Sequence, residues 1–269
     1  MPRASRHFLP GHLWHITHRC HEGEFLLKFA RDRRSYVRWL FEARKRFGLC
    51  VLDFMVTSNH VHLLVKDTGE GVITQSMQLV ASRVAQDYNR RKSRQGPFWE
   101  DRYHATAVEA EESLQRCIVY IDLNMVRAGV VAHPRDWDAA GYREIQAPRE
   151  RYAVIDVSAL STLCGFDDAA QFQRAHRLWI EEALGNSTGT REANWSDAIA
   201  VGSKNFVEKV ELELGLKAKY REVTAAGDMY ALREPAMTYA GIVEGKSDPV
   251  VVRCCLIGRS PDSPRRRAT

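Results

Sequence analysis

The feature that most constrains the fold is the stretch 49–66. Two apolar β-type runs, Leu49-Cys50-Val51-Leu52-Asp53-Phe54-Met55-Val56 and His60-Val61-His62-Leu63-Leu64-Val65-Lys66, are separated there only by Thr57-Ser58-Asn59. A connection that short cannot hold the crossover that parallel strands require, so the runs predict an antiparallel hairpin. The flanking sequence narrows the topology. Residues 12–20 follow a Pro10-Gly11 turn signal and read as a strand. Over 32–47, Tyr36, Leu40, Ala43 and Phe47 recur at helical spacing, and Gly48 stops the helix. After the hairpin, Met77, Val80, Val84 and Tyr88 mark a second amphipathic helix over 72–91, which Gln95-Gly96-Pro97 breaks. Residues 103–108 read as a short strand and 111–127 as a third helix ended by Gly129. The order β-α-β-β-α-β-α contains the split βαβ pattern. The expected fold class is therefore α+β, a ferredoxin-like βαββαβ sandwich with helices on one face of an antiparallel sheet and one added helix.

After Tyr142 the strand signals fade. Pro148-Arg149-Glu150-Arg151 reads as a junction, and 157–164, 169–184 and 204–214 read as helices. The expected organisation is a core domain over 1–148, a helical C-terminal region over 149–255 and a disordered basic tail over 256–269. No apolar run approaches the roughly 18 residues a membrane span needs, and the start lacks a secretory signal, so a cytoplasmic location without a membrane partner is expected. Cys20, Cys50, Cys117, Cys164, Cys254 and Cys255 lack paired spacing and are expected to be buried free thiols. The formal charge is only +5, but residues 1–48 hold eleven Lys and Arg against four acids. Such clustering suits a polyanionic partner; solvated helix faces would produce it equally well.

Alternation along a strand makes His60 and His62 point the same way while Val61 and Leu63 face the core. The two imidazoles either converge on one divalent cation or are ordinary histidines on an open sheet face. On the third helix, Tyr120, Asn124 and Arg127 fall together at i, i+4 and i+7, beside the apolar face of Leu114, Cys117, Ile118, Ile121 and Met125. That places a hydroxyl nucleophile, an amide oxygen able to bind a metal and a cation for phosphate side by side; Tyr120 as an interfacial aromatic is the alternative. Arg83, Arg90, Arg91, Lys92 and Arg94, followed by Phe98, Trp99, Arg102 and Tyr103, interleave cations and aromatics as binders of single-stranded nucleic acid do; Phe98 and Trp99 in the core with the basic run solvated is the equal alternative. Arg19 and His18 are placed to border the same groove. His15, His18 and His21 are spaced by three, which does not keep one strand face, so they rank below His60 and His62 as ligands.

Asn59-His60-Val61-His62-Leu63-Leu64 combined with Tyr120-Ile121-x-x-Asn124-x-x-Arg127-Ala128-Gly129 resembles the REP-associated tyrosine transposases, within the single-tyrosine HUH (IS200-like) transposases. The likeness runs over 6–142 and takes in Thr17, Arg19, Gly96-x-Phe98-Trp99-x-x-Arg102-Tyr103, Asp136-Trp137 and Tyr142-Arg143. Ser58 and Met125 stand where that family usually has proline. The resemblance implies that His60, His62 and Asn124 bind Mg²⁺ or Mn²⁺ and that Tyr120 is the nucleophile. It further implies a metal-dependent endonuclease and strand transferase acting on single-stranded DNA beside a palindromic, REP-like hairpin, through a covalent 5′-phosphotyrosine. Arg19, Arg83, Arg90, Arg102 and Arg127 are the expected DNA contacts, with no small-molecule cofactor and a monomer or homodimer as the assembly. Two other readings stay open: a catalytically silent DNA-binding protein on the same scaffold, and a histidine-dependent phosphodiesterase acting on small nucleotides.

Overall fold

Leu13–Arg19 (β1) is the strand about which the sheet is built in this computed structural model, which describes residues 9–186, 194–218 and 221–234. β1 pairs antiparallel with His60–Lys66 (β3) on one side and with His104–Val108 (β4) on the other. β3 in turn pairs antiparallel with Cys50–Val56 (β2), which closes the expected hairpin. The order β2-β3-β1-β4 is the ferredoxin-like arrangement. Ala30–Phe47 (α1) and Val72–Lys92 (α2) are the crossovers. Gly48, at φ 72°, ends α1 in the left-handed region and returns its N–H to the Arg44 carbonyl.

α1 and α2 pack on each other over the sheet face that carries Trp14, Ile16 and Val61, with Tyr36, Leu40, Met77 and Val80 buried beneath them. Glu112–Asp122 (α3) packs on the other face, against β2, β3 and β4. The expectation of helices on one face therefore holds for the two crossovers only. β2 is buried at every position from Val51 to Val56, so both its faces need cover, and α3 provides the second layer.

The C-terminal region departs from the helical expectation. Val157–Leu163 (α6), Ala169–Gly185 (α7) and Lys204–Leu214 (α9) lie where helices were expected, after the short Asn124–Arg127 (α4) and Tyr142–Gln146 (α5) and with Asn194–Asp197 (α8) between α7 and α9. The same region also carries Ala200–Gly202 (β5), Glu222–Ala226 (β6) and Met229–Arg233 (β7). β5 runs parallel to β4, and the sheet among the described residues has seven strands in the order β2-β3-β1-β4-β5-β7-β6. The cause lies in β4, whose outer edge would otherwise present unpaired amides; Ala107 N donates to Ile199 O (2.8 Å) and Glu109 N to Val201 O (3.2 Å). All described residues fall within one unit, Met1–Pro235. The end of the expected helical region from residue 235, the expected tail over 256–269, Cys254 and Cys255 lie outside the described residues. Cys20, Cys50, Cys117 and Cys164 are free thiols, and burial pushes Cys20 and Cys164 up to about 12, which leaves them weakly nucleophilic. No helix among the described residues is long and apolar enough to cross a membrane.

α7 is tied to α3 through the interior. His176 Nε2 lies 2.8 Å from Asp122 Oδ2, both residues are fully buried, and His176 Nδ1 lies 2.8 Å from Gln146 Nε2. His176→Leu would leave a buried carboxyl group without this partner. The expected loss is about 2–3 kcal/mol in urea unfolding, and an unchanged midpoint would show that the link contributes nothing.

Candidate active site

His62 and His60 face α3 because the β1–β3 register sets Thr17 opposite His62 and Arg19 opposite His60. His62 is buried and His60 half-buried, with ring centroids 5.0 Å apart and planes nearly perpendicular. The turn before them is closely fastened. Thr57 N donates to His60 O (2.9 Å), His60 N to Thr57 Oγ1 (3.0 Å) and Leu27 N to Ser58 O (2.9 Å). Ser58 thus sits in a turn that backbone hydrogen bonds hold without the ring of a proline. Asn59 Oδ1 accepts from His60 Nδ1 at 2.7 Å, which in the neutral ring leaves the lone pair on Nε2.

The expected single helix over 111–127 is interrupted. α3 ends at Asp122, Leu123 (φ −81°, ψ 3°) breaks the run, and α4 starts at Asn124. The break occurs although Met125 replaces the proline of the resembling family. It brings the Asn124 amide nitrogen to 3.0 Å from His62 Nε2. Tyr120 is 6% exposed, with its ring edge-on to His62 (5.6 Å) and to His15 (6.0 Å) and its hydroxyl 3.4 Å from Ser196 Oγ. Arg127 Nη2 donates to the Tyr120 carbonyl, and the guanidinium lies 4.4 Å from the centroid of the Tyr120 ring. The structure thus sets Arg127 on Tyr120 itself, as a backbone clamp and cation–π partner.

Two residues of this site, Trp195 and Ser196, escaped the sequence reading, and a third, His15, was ranked there below His60 and His62 as a ligand. His15 is fully buried, with Nδ1 2.8 Å from Trp195 O and Nε2 3.0 Å from His62 Nδ1. Alternation along β1, with His15 and Thr17 on one face, was the available signal for His15; nothing local pointed to α8. His18 takes the opposite face, stacked on Trp99 at 3.9 Å. Burial holds the His15 imidazole down at about 3, against the Trp195 carbonyl, which favours the proton. Unfolded His15 takes a proton below about 6.5. The unfolded state therefore binds more protons across this window, and native stability falls as the pH drops through it. The expected loss is on the order of 4 kcal/mol by about pH 3.5. Urea midpoints measured from pH 7 to 4 should fall more steeply for the wild type than for His15→Gln; parallel curves would contradict this.

The expected DNA-contact arginines are dispersed. Arg19 is exposed at the end of β1, 3.5 Å from Glu100, and Arg102 is exposed in the segment before β4. Arg83 and Arg90 are exposed on α2, across the sheet from Tyr120. Arg90 lines a cleft of about 610 Å³ between α1 and α2 with Arg31, Arg34, Arg38 and Arg91, where Arg38 and Arg91 pair with Asp87 and Asp32. Of the two readings left open for the aromatics, the structure favours packing over base stacking. Phe98 and Tyr103 are buried, and Trp99 donates to Ala81 O (3.0 Å) while it stacks on His18. They fill the space between β1 and the crossover helices, where burial of large rings is most favourable.

Among the described residues no group of three His, Cys, Asp or Glu side chains is arranged to hold a metal ion, so a cation here would need Asn124 as well as the histidines. The donor set fits one. Two imidazoles and an amide oxygen are donors a divalent cation would take, and His62 Nε2 lies 3.0 Å from the Asn124 amide. A flip of the amide presents Oδ1 in place of Nδ2.

Residues 12–124 match the family described as IS200-like transposases. No curated protein matches the chain. Among solved structures, a REP-associated tyrosine transposase bound to a REP hairpin is 15% identical with a TM-score of 0.45, covering 58% of this chain and 94% of that one. A protein of Deinococcus radiodurans R1 described as a transposase is 15% identical with a TM-score of 0.32, covering 48% and 92%.

Proposed function

We propose, from the match of residues 12–124 to the family described as IS200-like transposases, that the protein cuts and rejoins single-stranded DNA with Tyr120 as the nucleophile. The observation that carries this reading is the approach of His62 Nε2 to the Asn124 amide at 3.0 Å with the Tyr120 ring 5.6 Å from His62. His60, His62 and Asn124 are the proposed ligands of Mg²⁺ or Mn²⁺. When bound, that cation offsets charge on the non-bridging oxygens of the scissile phosphate. Tyr120 Oη forms the new bond to phosphorus as the P–O3′ bond breaks, leaving a 5′-phosphotyrosine and a free 3′-OH. Attack by a 3′-OH on the phosphotyrosine reverses the step. One phosphodiester replaces another, so no nucleotide cofactor is required.

Arg127 and Ser196 orient the nucleophile. The guanidinium lies over the ring while it holds the Tyr120 carbonyl, and Ser196 Oγ lies 3.4 Å from the hydroxyl. The substrate class, single-stranded DNA beside a REP-like hairpin, rests on the resemblance of the Asn59–Leu64 and Tyr120–Gly129 motifs to REP-associated tyrosine transposases. The basic cleft between α1 and α2 favours a second reading, a silent DNA-binding protein that uses this surface alone. Incubation with Mn²⁺ and hairpin oligonucleotides separates the two. Catalysis gives a DNA adduct that survives denaturing electrophoresis; tight binding with no adduct from any hairpin establishes the silent reading.

A further inference from the structure

His62 is held from behind by a second histidine, and the order of hydrogen bonds along that path settles where its ring proton sits. A backbone carbonyl only accepts, so His15 Nδ1, 2.8 Å from Trp195 O, carries a proton and donates it. His15 is fully buried, where the doubly protonated ring is disfavoured. The neutral ring with its proton on Nδ1 has its lone pair on Nε2. That nitrogen lies 3.0 Å from His62 Nδ1, with the two rings nearly parallel, so His62 Nδ1 is the donor and His62 Nε2 keeps its own lone pair.

We propose that His15, oriented by the backbone carbonyl of Trp195, is a positioning residue that locks His62 in the Nδ1–H tautomer and so presents its Nε2 as the metal-binding atom. The last step of this chain rests on the metal-dependent reading of the site; the tautomer itself does not. The anchoring carbonyl is itself immobilised. Thr106 Oγ1 donates to Ala198 O (2.6 Å) and His104 Nε2 lies 2.9 Å from the same oxygen, so the turn that carries Trp195 is fastened to β4. α8 is thereby part of the reaction centre twice, through the Trp195 carbonyl behind His62 and through Ser196 beside the Tyr120 hydroxyl. Partners of a ligating histidine that fix its tautomer typically contribute about 10–100-fold to metal affinity.

The test is long-range ¹H–¹⁵N NMR of the metal-free, ¹⁵N-labelled protein, with the His62 ring assigned from the His62→Gln spectrum, together with Mn²⁺ titration followed by electron paramagnetic resonance. The wild type is expected to carry the His62 proton on Nδ1, and a proton on Nε2 overturns the proposal. His15→Leu is expected to release that tautomer and weaken Mn²⁺ binding about 10–100-fold. His15→Gln, whose Oε1 reaches the place of Nε2 and accepts from His62 Nδ1, should recover most of the affinity. A folded His15→Leu with unchanged Mn²⁺ affinity overturns the proposal, as does a His15→Gln no better than His15→Leu. Should His15→Leu fail to fold, the wild-type tautomer still decides. A wild type that binds no Mn²⁺ overturns the metal-dependent reading, while the NMR assignment continues to test His15 separately.

Discussion

Tyr120→Phe is expected to abolish the covalent DNA adduct and to lower strand cleavage by at least about 10⁴-fold, because the substitution removes the attacking oxygen itself. The substitution is mild in every other respect. The ring remains edge-on to His62 and beneath Arg127, and only the contact of the hydroxyl with Ser196 is lost, a change of about 0.5–1.5 kcal/mol in stability. DNA affinity and its salt dependence should be unaltered, since they depend on phosphate contacts elsewhere. The measurement is cleavage and adduct formation on one hairpin oligonucleotide in Mn²⁺, with binding followed in parallel by fluorescence anisotropy. Cleavage retained in Tyr120→Phe would remove Tyr120 from the chemistry and favour a histidine-dependent hydrolysis in its place.

His62→Ala carries the second large effect. His62 is 3% exposed and contacts both His15 and Asn124, so its loss removes the proposed central ligand and breaks the path from the Trp195 carbonyl. A cation at a reacting phosphate contributes several kcal/mol, so cleavage should fall by on the order of 10³-fold or more, with Mn²⁺ binding lost in the same step. His62→Gln keeps most of the volume and separates this loss from cavity effects. His60→Ala should fall in the same direction by less, because His60 is more exposed and is held by its own turn through Asn59 and Thr57. Mn²⁺ affinity preserved in both His62 variants would show that no cation binds there.

Much of the fold was legible because its signals are local. The hairpin of β2 and β3 follows from two apolar runs and a three-residue connection, and α1 and α2 follow from apolar residues at helical spacing. β5 was not legible: Ala200-Val201-Gly202 is too short to show alternation and is a strand only because β4 and β7 lie on either side of it. The break at Leu123 was likewise silent, since Tyr120 to Arg127 keeps one helical pattern across it. Phe98 and Trp99 look like a stacking platform in sequence and are packing residues in the fold, because composition does not say which face a ring turns to.

By itself the sequence determined the shared face of His60 and His62 and the neighbourhood of Tyr120, Asn124 and Arg127, since the periods of strand and helix dictate both. Only the tertiary structure decided that these two sets meet, that His15 lies behind His62, and that Trp195, 180 residues from His15, supplies the carbonyl that orients it. The reason is physical. Backbone geometry propagates along a few residues and leaves its period in the chain, whereas a contact between distant segments arises from strand register and the burial of whole faces, which no short stretch of sequence encodes.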